Sequence, residues 1–412
     1  TDLWMFISSK GGLSAGRINA DHAIFPYYTD DKITDLSEVT GSLSWFKLQR
    51  GNGESYMWRP FLDGFGTNKH VERNIYKSIY NNKVIFEERH LLYNLRFRYG
   101  WYFSDHFGLV REAELVNESD TEISINMLDG VQNILPAGVT EQLQNWRSNL
   151  VNAYRKSELA NHSNVGIYSL SARIIDKPEP SESLRATTAW SVGWENPTIL
   201  LSTQQVRSFI NGINPVQEND MRAEPGGYLL HKECTLGAGK NKKWLIVLET
   251  DQGVEDIIRL QDELASHSDL FSKVHEDIHK GNNQLHEYLL SADGIQESND
   301  HLSSARHLSN VLFNSMRGGL FPNGYTIDIK DFCNYLHHHN KLVAEAHVEG
   351  LLQQGDSLNR KALLQYCEAT GDVALYRLTK EYLPLFFSRR HGDPSRPWNV
   401  FNINTRGEDG SR

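Results

Sequence analysis

The feature that most constrains this chain is a change of period near residue 253. Before it, apolar residues come in short runs separated by Gly, Asn and Asp turns; after it, they recur at three- and four-residue spacing. The first pattern is that of strands, the second that of helices. A chain that spends its first half on strands and its second on helices folds as β then α, not as an alternating α/β sheet. In the first half the runs Leu3–Ile7, Ser42–Leu48, Leu91–Phe97, Gly100–Phe103, Leu109–Val116 and Ile123–Leu128 predict strands. Val165–Ile174, Ala186–Val192, Thr198–Ser202, Tyr228–Leu230 and Trp244–Leu248 follow in the same manner. That many short strands predict a large sandwich. Gly51–Glu54 reads as a hairpin turn, and Gln142, Leu143, Trp146, Leu150, Val151 and Tyr154 predict a helix inserted among the strands.

In the second half, Ile257, Ile258, Leu260, Leu264 and Leu270 predict one linker helix. Leu302 to Met316 predicts a second, ended by Gly318-Gly319, and residues 328 to 354 predict a helical block broken at Gly350. Leu363 to Cys367 and Ala374 to Phe387 predict a helical hairpin, with Gly371 closing the first helix and Asp372 capping the second. The organisation expected is a β-sandwich over 1–252, a helical linker over 253–295 and a helical domain over 296–412.

Charge and composition narrow the function. A net charge of -10 argues against non-specific binding to nucleic acid or to an anionic membrane surface. No apolar run approaches the ~18 residues of a membrane span. Cys234, Cys333 and Cys367 are too few and too scattered for a disulfide framework or a zinc site. A reducing compartment, hence the cytoplasm, is the default expectation, and the sequons at Asn117 and Asn161 carry little weight without a signal peptide. His337-His338-His339 point in different directions on a helix, and His339, Glu345 and His347 lack metal-ligand spacing, so no metal is expected. The chain opens at Thr1 in a strand-like run and closes at Arg412 in a turn-rich stretch. We expect both ends to be cut from something longer.

Two stretches are dense in functional groups. Ser388–Asn399 brings together Arg389, Arg390, His391, Asp393, Arg396, Trp398 and Asn399 around two prolines, directly after an apolar helix end. The guanidiniums can fork onto phosphate or carboxylate, and Trp398 can stack on a sugar face. The alternative is a solvated connection with a structural Arg–Asp pair. Gly11 to Arg17 is the second stretch; it lacks the Gly-Lys-Ser/Thr end of a phosphate-cradling loop, and tight turns between strands would explain it as well.

The run Trp4 to Ser14, the run Trp101 to Asn117 with Val110-Arg111-Glu112, and the hairpin over 361–387 together resemble the inverting glycoside phosphorylases of the cellobiose and chitobiose phosphorylase family. The resemblance implies a galactose-mutarotase-like super-sandwich, a helical linker and the start of an (α/α)6 six-hairpin barrel. It implies phosphorolysis of a β-linked glucoside or oligosaccharide with inversion, inorganic phosphate as co-substrate, no cofactor, and a homodimer or a partner segment completing the barrel. Through it, Gly12, Ser14 and Arg17 become candidate substrate contacts, since the family's opening loop reaches toward an active site. The family's Arg-Asp motif and its general acid have no clear counterpart. The residues suffice for only about two or three hairpins. The catalytic acid is therefore unassigned: Asp393, flanked by arginines that would lower its pKa, reads as a sugar ligand or as the partner of Arg396. An inverting hydrolase of the same architecture and a non-catalytic sugar-binding module are the alternatives.

Overall fold

The computed structural model describes residues 2–28, 32–49, 55–61, 70–146, 148–174, 182–266, 269–291, 294–295, 299–318 and 326–390. The turn expected at Gly51–Glu54 lies outside them. The chain divides into two compact units, Thr1–Gly281 and Asn282–Arg412.

In the first unit, a five-stranded antiparallel sheet runs Thr198–Leu200, Gly226–Leu236, Ile123–Ile134, Gly41–Gln49, Ser55–Trp58 in spatial order. A nine-stranded sheet runs Asp220–Arg222, Arg155–Leu159, Gly166–Leu170, Ala186–Val192, Asn241–Gln252, Gly108–Asn117, Leu95–Ser104, Val84–His90, Val71–Lys77. One core joins their facing sides. Phe46, Ile125, Met127 and Tyr228 from the smaller sheet meet Phe97, Leu115, Trp244 and Ile246 from the larger. This is a β-sandwich, as the run lengths and turn spacing predict. Alternation decides which side each residue serves. On the strand Ile123–Ile134, Ile123, Ile125, Met127 and Val131 enter that core, whereas Leu128 packs outward with Leu43, Leu200, Phe209 and Leu229 beneath the short helix Val206–Ile210.

The outer face of the larger sheet is covered too. Val110, Trp190, Leu245 and Val247 pack against Leu260, Leu264, Leu270, Val274 and Ile278. These come from two helices, Val254–Ser266 and Leu270–Ser291, not from the single linker helix expected. Asp269 breaks the run: its Oδ1 accepts the Ser272 N–H at 3.1 Å, an N-cap that starts a new helix at Leu270. The insertion expected within 136–162 is likewise two short helices, Glu141–Trp146 and Ser148–Tyr154.

Asn117 ends the strand Gly108–Asn117, and its burial is complete. Its Nδ2 donates to the carbonyls of Thr121, Leu236 and Gly237 at 2.7, 2.9 and 3.0 Å, and its Oδ1 accepts from Ser119 N–H and Oγ. This residue shapes a turn and has no surface for a glycan.

The second unit contains a repeat that periodicity did not expose. A short strand, Thr326–Asp328, leads into helices Ile329–His339 and Lys341–Leu352; a second, Ser357–Asn359, leads into Arg360–Ala369 and Val373–Arg390. The strands pair antiparallel about Ile327 and Leu358, giving two strand–helix–helix units related by a local two-fold. Each of the four helices starts on a side-chain cap. Asp328, Asn340, Asn359 and Asp372 accept from the N–H groups of Asp331, Val343, Ala362 and Ala374 at 3.1, 3.3, 2.8 and 2.8 Å. Equivalent positions fill one core: Phe332 with Leu363, Leu336 with Cys367, Val343 with Leu375, and Leu351 with Leu383.

The block 328–354 breaks at Asn340, not at Gly350. Gly350 stays within the helix Lys341–Leu352, and a Cβ there would lie 2.5 Å from Tyr366 Oη, so glycine permits the close approach of the next repeat. The histidine run is engaged internally: His338 and His339 donate Nδ1–H to the Asn334 and Tyr335 carbonyls at 2.7 and 2.8 Å. Gly371 takes the left-handed φ of 74° that closes its helix.

Asp372 also links the repeats through His347, whose Nε2 is 2.8 Å from its Oδ2. The hydrogen bond from His347, then those from the Leu375 and Ala374 N–H groups, hold the Asp372 carboxyl below the usual carboxylate range. A depressed carboxyl stabilises the fold above its unfolded pKa of about 3.9, and that contribution disappears as pH falls through the folded value. Asp372→Ala should therefore cost the helical unit about 1 kcal/mol at neutral pH, with the difference closing in acid. Thermal melts of both proteins across pH 7 to 3 test this; parallel curves would contradict it.

Candidate functional site

The hairpin Leu3–Ile7/Leu13–Arg17 is built around its Gly-Gly turn. Gly11 N–H donates to Ser8 O and Ser8 N–H to Gly12 O, both at 2.9 Å, and Gly12 N–H donates to Ser8 Oγ at 3.1 Å. A Cβ on Gly11 would sit 2.8 Å from Tyr99 Oη, and one on Gly12 would sit 1.8 Å from the Ile33 carbonyl oxygen. Sterics alone demand glycine at both. Gly12 and Ser14 are buried, and Ser14 Oγ accepts the Tyr28 N–H at 3.2 Å.

Arg17 closes the hairpin at the mouth of a polar cleft of about 410 Å³. Its Nε and Nη2 donate to Glu249 Oε1 and Oε2 at 2.8 and 2.6 Å, Nη2 also reaches the Asp105 carbonyl at 3.1 Å, and Nη1 pairs with Asp2. The fork to Glu249 raises its pKa against the opposing effect of burial. Glu249 Oε1 additionally accepts the Thr250 N–H at 2.9 Å. Both partners are thus largely committed to each other.

The opposite wall is the turn after Leu95–Ser104. Asp277 accepts from Ser104 Oγ and from the His106 N–H at 3.1 Å, and Ser104 Oγ accepts the Phe107 N–H at 2.9 Å. Burial pushes the Asp277 carboxyl up, but the hydrogen bonds from Ser104 and from the His106 and Asp105 N–H groups outweigh it and hold the pKa low. The turn is anchored, and it presents His106, whose Nε2 lies 3.3 Å from Glu263 Oε2. Asp251 lines the same cleft with a left-handed φ of 58°. The cleft can hold polar ligands between carboxylates, two histidines (His22 and His106) and two arginines (Arg17 and Arg259). Its best-fixed carboxylate, Glu249, serves as a clamp, and Asp277 anchors the turn from outside the lining.

The sequence alone points to Arg17, and to Asp105 only within the run that carries the family resemblance, but not to Glu249, His106 or Asp277. The only local signal was a set of polar residues at strand ends, Asp105-His106 and Glu249-Thr250-Asp251. Arg389 and Arg390 close the helix Val373–Arg390 in the second unit, and their side chains lie outside the description. His391, Asp393, Arg396, Trp398 and Asn399 lie outside the described residues altogether. Among the described residues there is no His/Cys/Asp/Glu cluster able to hold a metal, and no helix is long and apolar enough to cross a membrane.

The fold and cleft define a β-sandwich scaffold carrying a helical unit of paired repeats. Residues 321–384, which span most of those repeats, match the model of the glycoside hydrolase family 149 insertion domain 1. That model differs from the cellobiose and chitobiose phosphorylase family of the sequence resemblance, and it describes an insertion where the resemblance implied the first barrel hairpins. No curated protein matches the chain. Among solved structures, a human-microbiome protein assigned as a kojibiose phosphorylase is 10% identical, with 65% of this chain and 31% of that chain covered and a TM-score of 0.35. A polysaccharide lyase is 12% identical, with 62% of this chain and 33% of that chain covered and a TM-score of 0.32. A galactose mutarotase-like protein from Lactobacillus casei ATCC 334 is 12% identical, with 61% and 97% covered and a TM-score of 0.32. The chain thus spans about a third of the first two.

Proposed function

We propose that this chain is the sandwich and inserted helical unit of a carbohydrate-active enzyme that breaks glycosidic bonds. The single observation that carries the reading is the match of residues 321–384 to an insertion domain of a glycoside hydrolase family. The finer reading is inverting phosphorolysis of a β-linked gluco-oligosaccharide. In that reaction one carboxylic acid protonates the glycosidic oxygen, and inorganic phosphate attacks the anomeric carbon from the opposite face. Phosphate takes the place that a base-activated water occupies in an inverting hydrolase. Cations and hydrogen-bond donors then hold the nucleophile. Arg389, Arg390, His391 and Arg396 have that chemistry, with Trp398, Asp393 and Asn399 as sugar contacts. In the first unit, Gly12 and Ser14 shape the opening hairpin and Arg17 clamps it to Glu249. The acid comes from a segment outside this chain.

The enzyme containing this chain should release a sugar 1-phosphate from β-linked gluco-oligosaccharides only when phosphate is present, and the product should carry the inverted anomeric configuration by proton NMR. Release of free sugar at the same rate without phosphate would select hydrolysis, which the name of the matched family favours. Binding with neither activity would leave a non-catalytic module. The 412-residue chain by itself should give no turnover; phosphorolysis by the isolated chain would overturn the assignment of the acid to another segment.

A further inference from the structure

On the far side of helix Val254–Ser266 from the Arg17 cleft lies a second, larger groove of about 1220 Å³, walled by the segments 158–164, 194–199 and 217–219 and by Gln261, Leu264 and Ala265 of that helix. We propose that this groove is a binding site for a neutral oligosaccharide or polysaccharide chain, separate from the bond-breaking site.

Its chemistry carries the inference. Six carboxamides line it: Asn161, Asn164, Asn196, Gln217, Asn219 and Gln261. Each offers both a donor and an acceptor, the combination a sugar hydroxyl needs. Three serve the protein: Asn164 donates to the Ser191 carbonyl, Gln217 Oε1 accepts the Ile199 N–H at 3.0 Å, and Gln261 Nε2 donates to Ser163 Oγ at 3.4 Å. The side chains of Asn161, Asn196 and Asn219 are exposed and make no protein hydrogen bond among the described residues, so their groups remain for a ligand. Trp194, Ile167, Pro197 and Leu264 supply apolar surface beside them. No Lys or Arg lines the groove, and its charged members, Glu158 and Glu195, are both acidic. Neighbouring ammonium groups, Lys156 on Glu158 and Lys242 over the Trp194 ring, are engaged by the lining itself, which disfavours phosphorylated, sulfated and nucleic-acid ligands and favours neutral polyhydroxyl compounds.

The size points the same way. The volume exceeds the roughly 300–1,000 Å³ of pockets for compact small molecules, which fits an extended chain.

Affinity gel electrophoresis of the 412-residue chain tests this, with gels containing a neutral β-glucan, dextran sulfate or no polymer. The neutral glucan should retard the wild-type chain, and Asn161→Ala/Asn196→Ala/Asn219→Ala should weaken that association by about tenfold or more at an unchanged melting temperature. If the triple variant melts early, the near-isosteric Asn196→Asp and Asn219→Asp variants carry the same comparison. Equal retardation of wild type and variant would overturn the proposal, as would retardation by dextran sulfate alone or by no polymer. Turnover of short oligosaccharides by the intact enzyme is a separate measurement, so the catalytic reading and the groove can fail independently.

Discussion

Replacing Asp129 with alanine should lower the unfolding free energy of the sandwich by about 3–5 kcal/mol. Asp129 and Arg111 are fully buried between the two sheets. Arg111 donates Nη1–H to Asp129 Oδ2 at 2.8 Å and Nη2–H to Oδ1 at 2.7 Å. Trp244 Nε1–H and Ser44 Oγ–H complete the carboxylate at 2.7 and 2.6 Å, and the guanidinium lies 5.0 Å from the centre of the Tyr99 ring. Removing the carboxylate leaves the buried cation without its counter-ion, held only by Ser42 Oγ and Ser44 Oγ, and leaves the indole N–H without an acceptor. The loss is that desolvation penalty, not the worth of the pair. The double change Arg111→Met/Asp129→Leu should recover most of the stability, because it removes both charges. Urea unfolding followed by tryptophan fluorescence reads both. A cost below about 1 kcal/mol for Asp129→Ala would mean that water reaches the network.

Arg17→Met should cost about 2 kcal/mol and leave phosphate and sugar affinity unchanged. The guanidinium ties the first hairpin to Glu249 on the strand Asn241–Gln252, to Asp2 and to the Asp105 carbonyl, and both charged ends of the Glu249 pair are mostly shielded from solvent. Arg17→Lys should not rescue it, since a lysine cannot reproduce the two parallel bonds to Glu249. Thermal melts alongside titrations with inorganic phosphate and with an oligosaccharide separate the two roles. Loss of affinity at constant stability would make Arg17 a ligand contact.

Much of the fold was legible because period and burial are coupled. Ile123, Ile125 and Met127 alternate, and the alternation is the sandwich core. The helical hairpin over 361–387 was readable from Gly371 and Asp372, whose capping chemistry is local. The errors fell where a local rule met a tertiary neighbour. Gly350 reads as a helix breaker, yet it lies within the helix, and its missing side chain gives Tyr366 its space. Leu270 sits at helical spacing from Leu264, yet Asp269 caps a new helix between them.

The sequence by itself determined the order of β and α, the strand runs, the caps and the absence of a charge pattern for nucleic acid. These depend on contacts within a few residues or on sums over the chain. The tertiary structure alone decided which polar residues meet: Arg17 with Glu249, Arg111 with Asp129, Ser104 with Asp277, and three free asparagines along one groove. A carboxylate at one strand end and an arginine far along the chain carry no mutual signal until sheet register brings them together. The repeat in the helical unit was hidden for a related reason. Its halves share capping and packing roles, with Phe332 answered by Leu363 and Leu336 by Cys367, and only the pairing of Ile327 with Leu358 reveals that they are the same unit twice.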